Sequence, residues 1–309
     1  MKHGLPQGQC LGDVCRIEYK ESEEQIMEML ERRRPFIIKN MTQSWPCKQI
    51  WNPEYFRSRV GNNQIYYVIT ENGNVAKYSK IHQMPMSEFL DRLESMDECA
   101  LQSGDSKSLY LVVTRIMSHH NRNTAQLPVL LSDITIPHFI PYERLWQVNL
   151  WLGKGSNKSN LHFDPEENLL SPIIGVKNVL LFSPEYDRFL YKNNERGTNM
   201  LQSKVDVFNF EPDQFPLVNK AYYYQTQVQE NETLFIPAGW WHAVESSPTL
   251  NIAVNIIWLV KPYFLLRFHD KVTKDIYDKD GKWKSVLSPN KMINLGGSTG
   301  VKIKKIGIN

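Results

Sequence analysis

The 309-residue sequence has few cysteines. There are four, Cys10, Cys15, Cys47 and Cys99, and no two are spaced as C-x-x-C. That density excludes a disulfide framework and points to reduced thiols inside the cell, in cytoplasm, nucleus or both. Cys10 and Cys15 have no second pair with which to close a zinc site. Long apolar runs are also missing. The longest candidate, Leu250 to Val260, falls short of the ~18 residues a membrane span needs, and it reads instead as a buried strand, so no membrane partner is expected. Met1 to Gln9 lacks the apolar segment of a secretory signal, and none is expected. Charge of one sign is not in excess either. Thirty-six Lys and Arg face 33 Asp and Glu, a net charge of +3. With the two signs interspersed, a nucleic-acid surface is a weaker expectation than a protein partner. No internal repeat and no low-complexity segment is found.

What is present is an ordinary globular composition, 41% hydrophobic and 22% charged, with ample material for a core. Residues 1–20, with Gly4, Pro6, Gly8 and Gly12 and no periodic pattern, read as a flexible arm. Residues 21–145 read as a mixed α/β portion. Helices are expected over Glu21–Arg33 (Ile26, Met29 and Leu30 on one face, Ser22 as cap), Pro53–Val60 (stopped by Gly61) and Met86–Met96 (Phe89, Leu90, Leu93). Strands are expected at Pro35–Ile38, Gln64–Thr70 and Ser108–Thr114, with turn chemistry at Glu71-Asn72-Gly73-Asn74. The adjacent His119 and His120 would point opposite ways on a strand and do not chelate as a pair.

From Trp146 the chain becomes a series of short strands punctuated by Gly and Pro turns. They are Gln147–Leu152, Leu161–Phe163, Asn168–Ile174, Asn178–Phe182, Ala221–Gln227, Thr233–Ile236, Trp241–Val244 and Asn251–Trp258. This pattern predicts a mainly β fold of the double-sheet jelly-roll class that includes cupins. The core spans 146–262. A polar excursion over 185–220 interrupts it, and a helix over Pro262–Tyr277 followed by a Gly- and Lys-rich tail completes 263–309.

One spacing carries chemistry. In Leu161-His162-Phe163-Asp164, the His and Asp are two apart, which on a strand sets both on one face. His242 lies on a later strand, after the turn Pro237-Ala238-Gly239. Two imidazoles and one carboxylate with open positions match the facial triad of non-heme Fe(II) oxygenases. Lys177 opens a strand and Asn255 lies within an apolar one. Buried without partners, both would be costly. A dicarboxylate that chelates iron at one end and meets Lys177 at the other fits both the triad and the lysine.

The set His162-x-Asp164 … Lys177 … His242 is flanked by Ile236-Pro237-Ala238-Gly239-Trp240-Trp241 and Asn255-Ile256-Ile257-Trp258. It resembles the JmjC-domain oxygenases of the cupin superfamily. The resemblance runs from about Pro35 to Leu259. Arg34-Pro35-Phe36-Ile37-Ile38-Lys39-Asn40 with Trp45, and Trp151-Leu152-Gly153, are most similar to the small JmjC-only hydroxylases, the lysyl, arginyl and factor-inhibiting-HIF groups. It implies a double-stranded β-helix with flanking helices, His162, Asp164 and His242 as iron ligands, and 2-oxoglutarate and O2 as cosubstrates. Lys177 would pair with the distal carboxylate of 2-oxoglutarate. Ser159 and Tyr110 would join it there, and Asn168 and Asn255 would line the pocket, while Trp258 reads as a packing residue.

The implied reaction is hydroxylation of a protein side chain, with a basic residue as the expected target. Asp164-Pro165-Glu166-Glu167 and Glu185-Tyr186-Asp187 are the acidic clusters that would attract it. The segments Tyr186–Lys220 and Ile116–Pro141 are the expected substrate loops. A tRNA-base hydroxylase of the wybutosine type, a histone lysine demethylase and a silent cupin scaffold are the alternatives. The absence of reader domains and zinc-finger cysteines weighs against the demethylase, and the intact triad weighs against the silent scaffold. The oligomeric state is left open, a homodimer included.

Overall fold

The computed structural model describes residues 5–6, 10–19, 23–71, 80–96, 107–118, 125–193 and 201–260. Its frame is β. Twelve strands run β1 (Cys15–Glu18), β2 (Phe36–Lys39), β3 (Gln64–Glu71), β4 (His82–Pro85), β5 (Lys107–Ser118), β6 (Leu145–Gly153), β7 (Glu167–Ile174), β8 (Lys177–Phe182), β9 (Tyr223–Val228), β10 (Thr233–Ile236), β11 (Trp241–Ser246) and β12 (Asn251–Trp258). Nine of them form one sheet in the order β1-β2-β10-β7-β12-β6-β5-β3-β4, and β11-β8-β9 form a second. Side chains of both sheets meet in one cluster, with Leu170, Leu234, Ile236 and Ala253 from the large sheet and Val179, Leu181 and Val228 from the small one. The result is a mainly β jelly roll of the cupin type.

Helices cover the other face of the large sheet. They are α1 (Glu23–Glu31), α2 (Cys47–Ile50), α3 (Pro53–Val60) and α4 (Met86–Glu94). In α3 the Asn52 side chain accepts from Tyr55 N and Pro53 opens the first turn, a start that costs no backbone donor. In α4, Met86, Phe89, Leu90 and Leu93 are buried, the i, i+3, i+4, i+7 stripe of a one-sided helix. They join Phe36, Ile38, Leu150, Leu152, Leu169, Val254 and Ile256 in the main core. Trp258 stacks on Phe235 there, ring centroids 5.9 Å apart, and so packs as expected.

Three expectations need correction. The N-terminal arm is not structureless. β1 pairs parallel with β2, and Leu11 N donates to Tyr223 O, because the unpaired edges of β2 and β9 offer backbone partners that no side-chain pattern advertises. Leu161–Phe163 is not a strand of either sheet. His162 makes isolated bridges only, to Gln202 and to His242. The excursion over 185–220 is not simply polar. Leu190, Leu201, Val205, Val207, Phe210 and Val218 are buried in a second core with Phe163 and Trp241, so it buttresses the site. Likewise Leu127, Leu130, Ile134 and Ile140 of the 116–141 segment are core residues. The His119–His120 pair, the turn at Asn72–Asn74, the Ser22 cap, Cys99, the helix Pro262–Tyr277 and the tail lie outside the described residues. No described helix is long and apolar enough to cross a membrane.

Candidate active site

His162, Asp164 and His242 come together with their ligand atoms within 4.8 Å of one another, a group that could hold a metal ion. Two backbone hydrogen bonds join the histidines, His162 N to His242 O at 3.0 Å and His242 N to His162 O at 2.6 Å. Side by side on this bridge, their ring centroids are 4.2 Å apart. Nδ1 of His162 lies 2.7 Å from Asn160 O and Nδ1 of His242 lies 3.0 Å from Trp240 O. A carbonyl can only accept, so each Nδ1 carries a proton, and in the neutral ring it is Nε2 that has the lone pair for a metal. His242 Nε2 is 3.7 Å from Asp164 Oδ2. Burial, and then the neighbouring His162, lower the pKa of His242 against the opposing pull of Asp164, which keeps the imidazole in its neutral, ligating form.

The turn before His242 is tied down on three sides. Gly239, at φ 83°, a conformation open to glycine without strain, donates its N–H to Asp164 O at 2.8 Å. Ala238 N donates to Glu167 Oε2 at 2.8 Å, and the other oxygen of Glu167 meets Arg33 at 2.5 Å. Trp240 Nε1 donates to the Arg33 carbonyl at 3.0 Å. This corrects the expectation of an acidic lure for a basic side chain. Glu167 is buried and neutralised by Arg33. Glu166 is buried too, and burial, then the nearby Asp164, push its carboxyl up to about 8. Asp187 accepts from Trp241 Nε1 at 3.2 Å. Only Glu185 of the two clusters is exposed.

At the far end of the roll, Lys177 is 1% exposed. Its Nζ donates to Ser246 Oγ at 2.6 Å, and no carboxylate among the described residues pairs with it. Burial alone draws its pKa down to about 7. Tyr110 shares a hydrogen bond with the same Ser246, and burial raises its phenol. The Tyr110 ring stacks on Trp151 at 5.8 Å. A Cβ at Gly153 would sit 2.8 Å from that ring, so glycine makes the approach possible. Between the two ends, Asn255 Oδ1 accepts from Asn149 Nδ2 and Trp151 Nε1, both at 3.0 Å. Asn168 is buried and its Oδ1 has no partner. Ser159 Oγ accepts from Val244 N at 2.9 Å, which leaves its own proton free to donate.

Sequence reasoning missed Ser246, Asn149, Trp151 as a donor, and Arg33. Ser246 was findable. It is four residues past His242 on β11, hence on the same face, and it lies opposite Lys177 in the β8–β11 register.

A double-sheet roll with a His-x-Asp … His cluster that could hold a metal at one end and a buried lysine at the other defines a cupin-type scaffold. A family model described as a cupin-like domain matches residues 21–262, and the chain belongs to that family, in its JmjC branch. It is similar to Jumonji C domain-containing protein 5 of Drosophila melanogaster, 26% identical over 248 residues that cover 78% of this chain and 59% of that protein. It is similar to tRNA wybutosine-synthesizing protein 5 of Gallus gallus, 25% identical over 241 residues, 76% of this chain and 74% of that one. Lysine-specific demethylase 8 of Danio rerio is 27% identical over 252 residues, with 80% and 58% covered. The chain thus spans well under two thirds of the first and third of these relatives.

Proposed function

We propose that the protein is an Fe(II)- and 2-oxoglutarate-dependent dioxygenase that hydroxylates a side chain of a polypeptide. One observation carries the reading, a polar row closed at one end by His162, Asp164 and His242 and at the other by a buried lysine that no carboxylate among the described residues pairs with. Two imidazoles and one carboxylate are a donor set that fits Fe(II). Lys177 without a counter-ion and the unpartnered Asn168 Oδ1 fit a missing polar ligand between them.

Iron with 2-oxoglutarate and O2 supplies the conversion of a C–H bond to C–OH, 2-oxoglutarate leaving as succinate and CO2. The rest belongs to this chain. His162, Asp164 and His242 hold the metal. Lys177, Tyr110 and Ser246 receive the distal carboxylate, and Ser159 offers its hydroxyl proton to the same cosubstrate. Asn168 and Asn255 line its flank, Asn255 fixed in place by Asn149 and Trp151. The apolar walls Leu170, Val179 and Leu181 keep water away. The charges of Fe(II), Asp164, the dicarboxylate and protonated Lys177 cancel, which a dry site requires.

A lysine or arginine target now rests on the JmjC resemblance alone, since Glu166 and Glu167 are not a solvated cation trap. A tRNA base is the second reading. It is favoured by the even coverage shared with the wybutosine-synthesizing relative, and by residues 261–309, where eleven Lys and Arg stand against four Asp. The purified protein with Fe(II) and 2-oxoglutarate, given a proteome digest and total tRNA side by side, separates the two. An oxygen-dependent gain of one oxygen atom on peptides is expected. A gain confined to a nucleoside overturns the polypeptide reading, and absence of succinate release with every substrate overturns the enzyme.

A further inference from the structure

The roll-facing side of the large sheet carries a cation that the proposed chemistry does not use. Arg115 of β5 lies opposite Asn149 of β6. Asn149 lies opposite Asn255 of β12, and Asn255 opposite Leu170 of β7. Residues opposite one another in paired strands share a face, so Arg115 stands on the face of Asn255, Leu170 and Trp151. The neighbouring row is Gln147, Ile257 and Asn168, and Asn168 follows Asp164 by four residues. Arg115 therefore flanks the metal end of the roll, whereas Tyr110 and Lys177 occupy the other end.

Among the described residues, the hydrogen-bond partners of Arg115 are neutral. Its Nε donates to Gln147 Oε1 at 3.2 Å, and its backbone N–H donates to Gln126 Oε1 at 2.8 Å. Burial works against the cation and lowers its pKa, and Tyr66 of β3 acts in the opposite direction. No Asp or Glu among the described residues pairs with it. Arg16, Arg33 and Arg57, also partly buried, each meet a carboxylate. With Nε on Gln147, the two terminal nitrogens remain, and a guanidinium offers them in the planar fork that suits a two-oxygen anion.

We propose that Arg115, oriented by Gln147, is a subsite for a carboxylate of the polypeptide substrate, an Asp or Glu side chain close to the oxidised carbon. This rests on the oxygenase reading above. A single fork in neutral surroundings suits one carboxylate. A nucleic-acid backbone calls for a row of cations, whereas the side chains that hydrogen-bond Arg115 are the neutral Gln147 and Gln126.

The test uses full-length protein with Mn(II) in place of iron and with 2-oxoglutarate bound. Three probes compete for it: labelled random short peptides rich in Asp and Glu, the same pool with Asn and Gln at those positions, and total tRNA. The wild type is expected to prefer the acidic pool by about tenfold or more, the scale of one charge-assisted pair. Arg115→Gln and Arg115→Met should erase the preference, and Arg115→Lys should keep part of it. Melting temperature and Mn(II) binding report whether each variant is folded. A wild type without preference, or a preference that survives in folded Arg115→Gln, overturns the subsite. Arg115-dependent retention of tRNA above both pools replaces it with a phosphodiester site. The readouts also separate the two proposals. Failure of the wild type to bind 2-oxoglutarate removes the oxygenase reading, while loss of peptide discrimination with 2-oxoglutarate still bound removes only the role of Arg115.

Discussion

The two faces of the nine-stranded sheet are built from alternate residues of the same strands and have opposite characters. Toward the helices, β6 sends Val148, Leu150 and Leu152, β7 sends Leu169 and Ile173, and β12 sends Ile252, Val254, Ile256 and Trp258, all buried in one apolar core. Toward the roll, the same strands send Asn149, Trp151, Asn168, Leu170 and Asn255, and β8 closes that space with Lys177. Both sets are largely buried. One face therefore stabilises the protein, and the other carries desolvated polar groups that raise the cost of folding until a ligand meets them. A buried amide or ammonium on a sheet face is thus a better guide to the site than its surroundings in sequence, because the next residue on either side serves the opposite purpose.

The comparison can be broken from either face. On the roll side the largest effect is expected from Asp164→Ala, which removes the carboxylate of the cluster. Succinate release in excess Fe(II) should fall to background with the melting transition preserved, and a rate near wild type would detach Asp164 from the metal. Next, Lys177→Met should weaken 2-oxoglutarate by ~3–5 kcal/mol, the cost of leaving one member of a buried pair alone. The same variant should stabilise the ligand-free protein, by on the order of 1–4 kcal/mol, because a desolvated cation gives way to an apolar side chain. Calorimetric titration and denaturant melts read these opposite signs; a destabilised Lys177→Met would contradict the strain assigned to that face.

On the helix side, Ile256→Val, one residue from Asn255, should cost about 0.5–1.5 kcal/mol of stability and leave 2-oxoglutarate affinity alone. A change in affinity there would mean that the faces are not independent.

The remaining effect is a pH dependence. The pKa of Lys177 is lowered from its usual 10.5 to about 7 in the folded protein, so between those values the unfolded chain holds the extra proton. This group's contribution to the stability of the ligand-free protein therefore rises with pH through that window. In the proposed reading 2-oxoglutarate meets Lys177 as the ammonium, so its affinity should fall over the same rise, by up to about tenfold per pH unit. Titrations with Mn(II) present, compared with Lys177→Met, isolate the effect, and a flat wild-type profile would remove it.

How much of this was legible follows from which forces are local. The strands from Leu145 to Trp258 were readable because period-two patterns and Gly or Pro turns are local signals, and α3 was readable from Pro53 and Gly61. His162, Asp164 and His242 were found by a two-residue spacing, though the reason they converge is an isolated bridge between His162 and His242 rather than a strand. β1 and the pairing of residues 10–12 with β9 were not legible, since backbone edges leave no mark on side-chain pattern. Nor was the fate of Glu166 and Glu167. Two adjacent glutamates look solvated until Arg33, 134 positions away, is brought to one of them. Arg115 escaped notice because one arginine in a strand is unremarkable until its neighbours prove neutral.

The pairing of Phe36 with Phe235 in adjacent strands has a kinetic consequence. β2 leaves the ribosome long before β10, its antiparallel partner, exists. At about 5–20 residues per second the wait is on the order of ten to forty seconds. During it Phe36, Ile37 and Ile38, all fully buried in the finished protein, have no partner on that side. The N-terminal portion is thus completed late, by a strand that closes the sheet after most of the chain has emerged, and non-local closure of this kind is slow. Folding of the nascent chain, rather than the stability of the finished roll, is where its exposure to aggregation is concentrated.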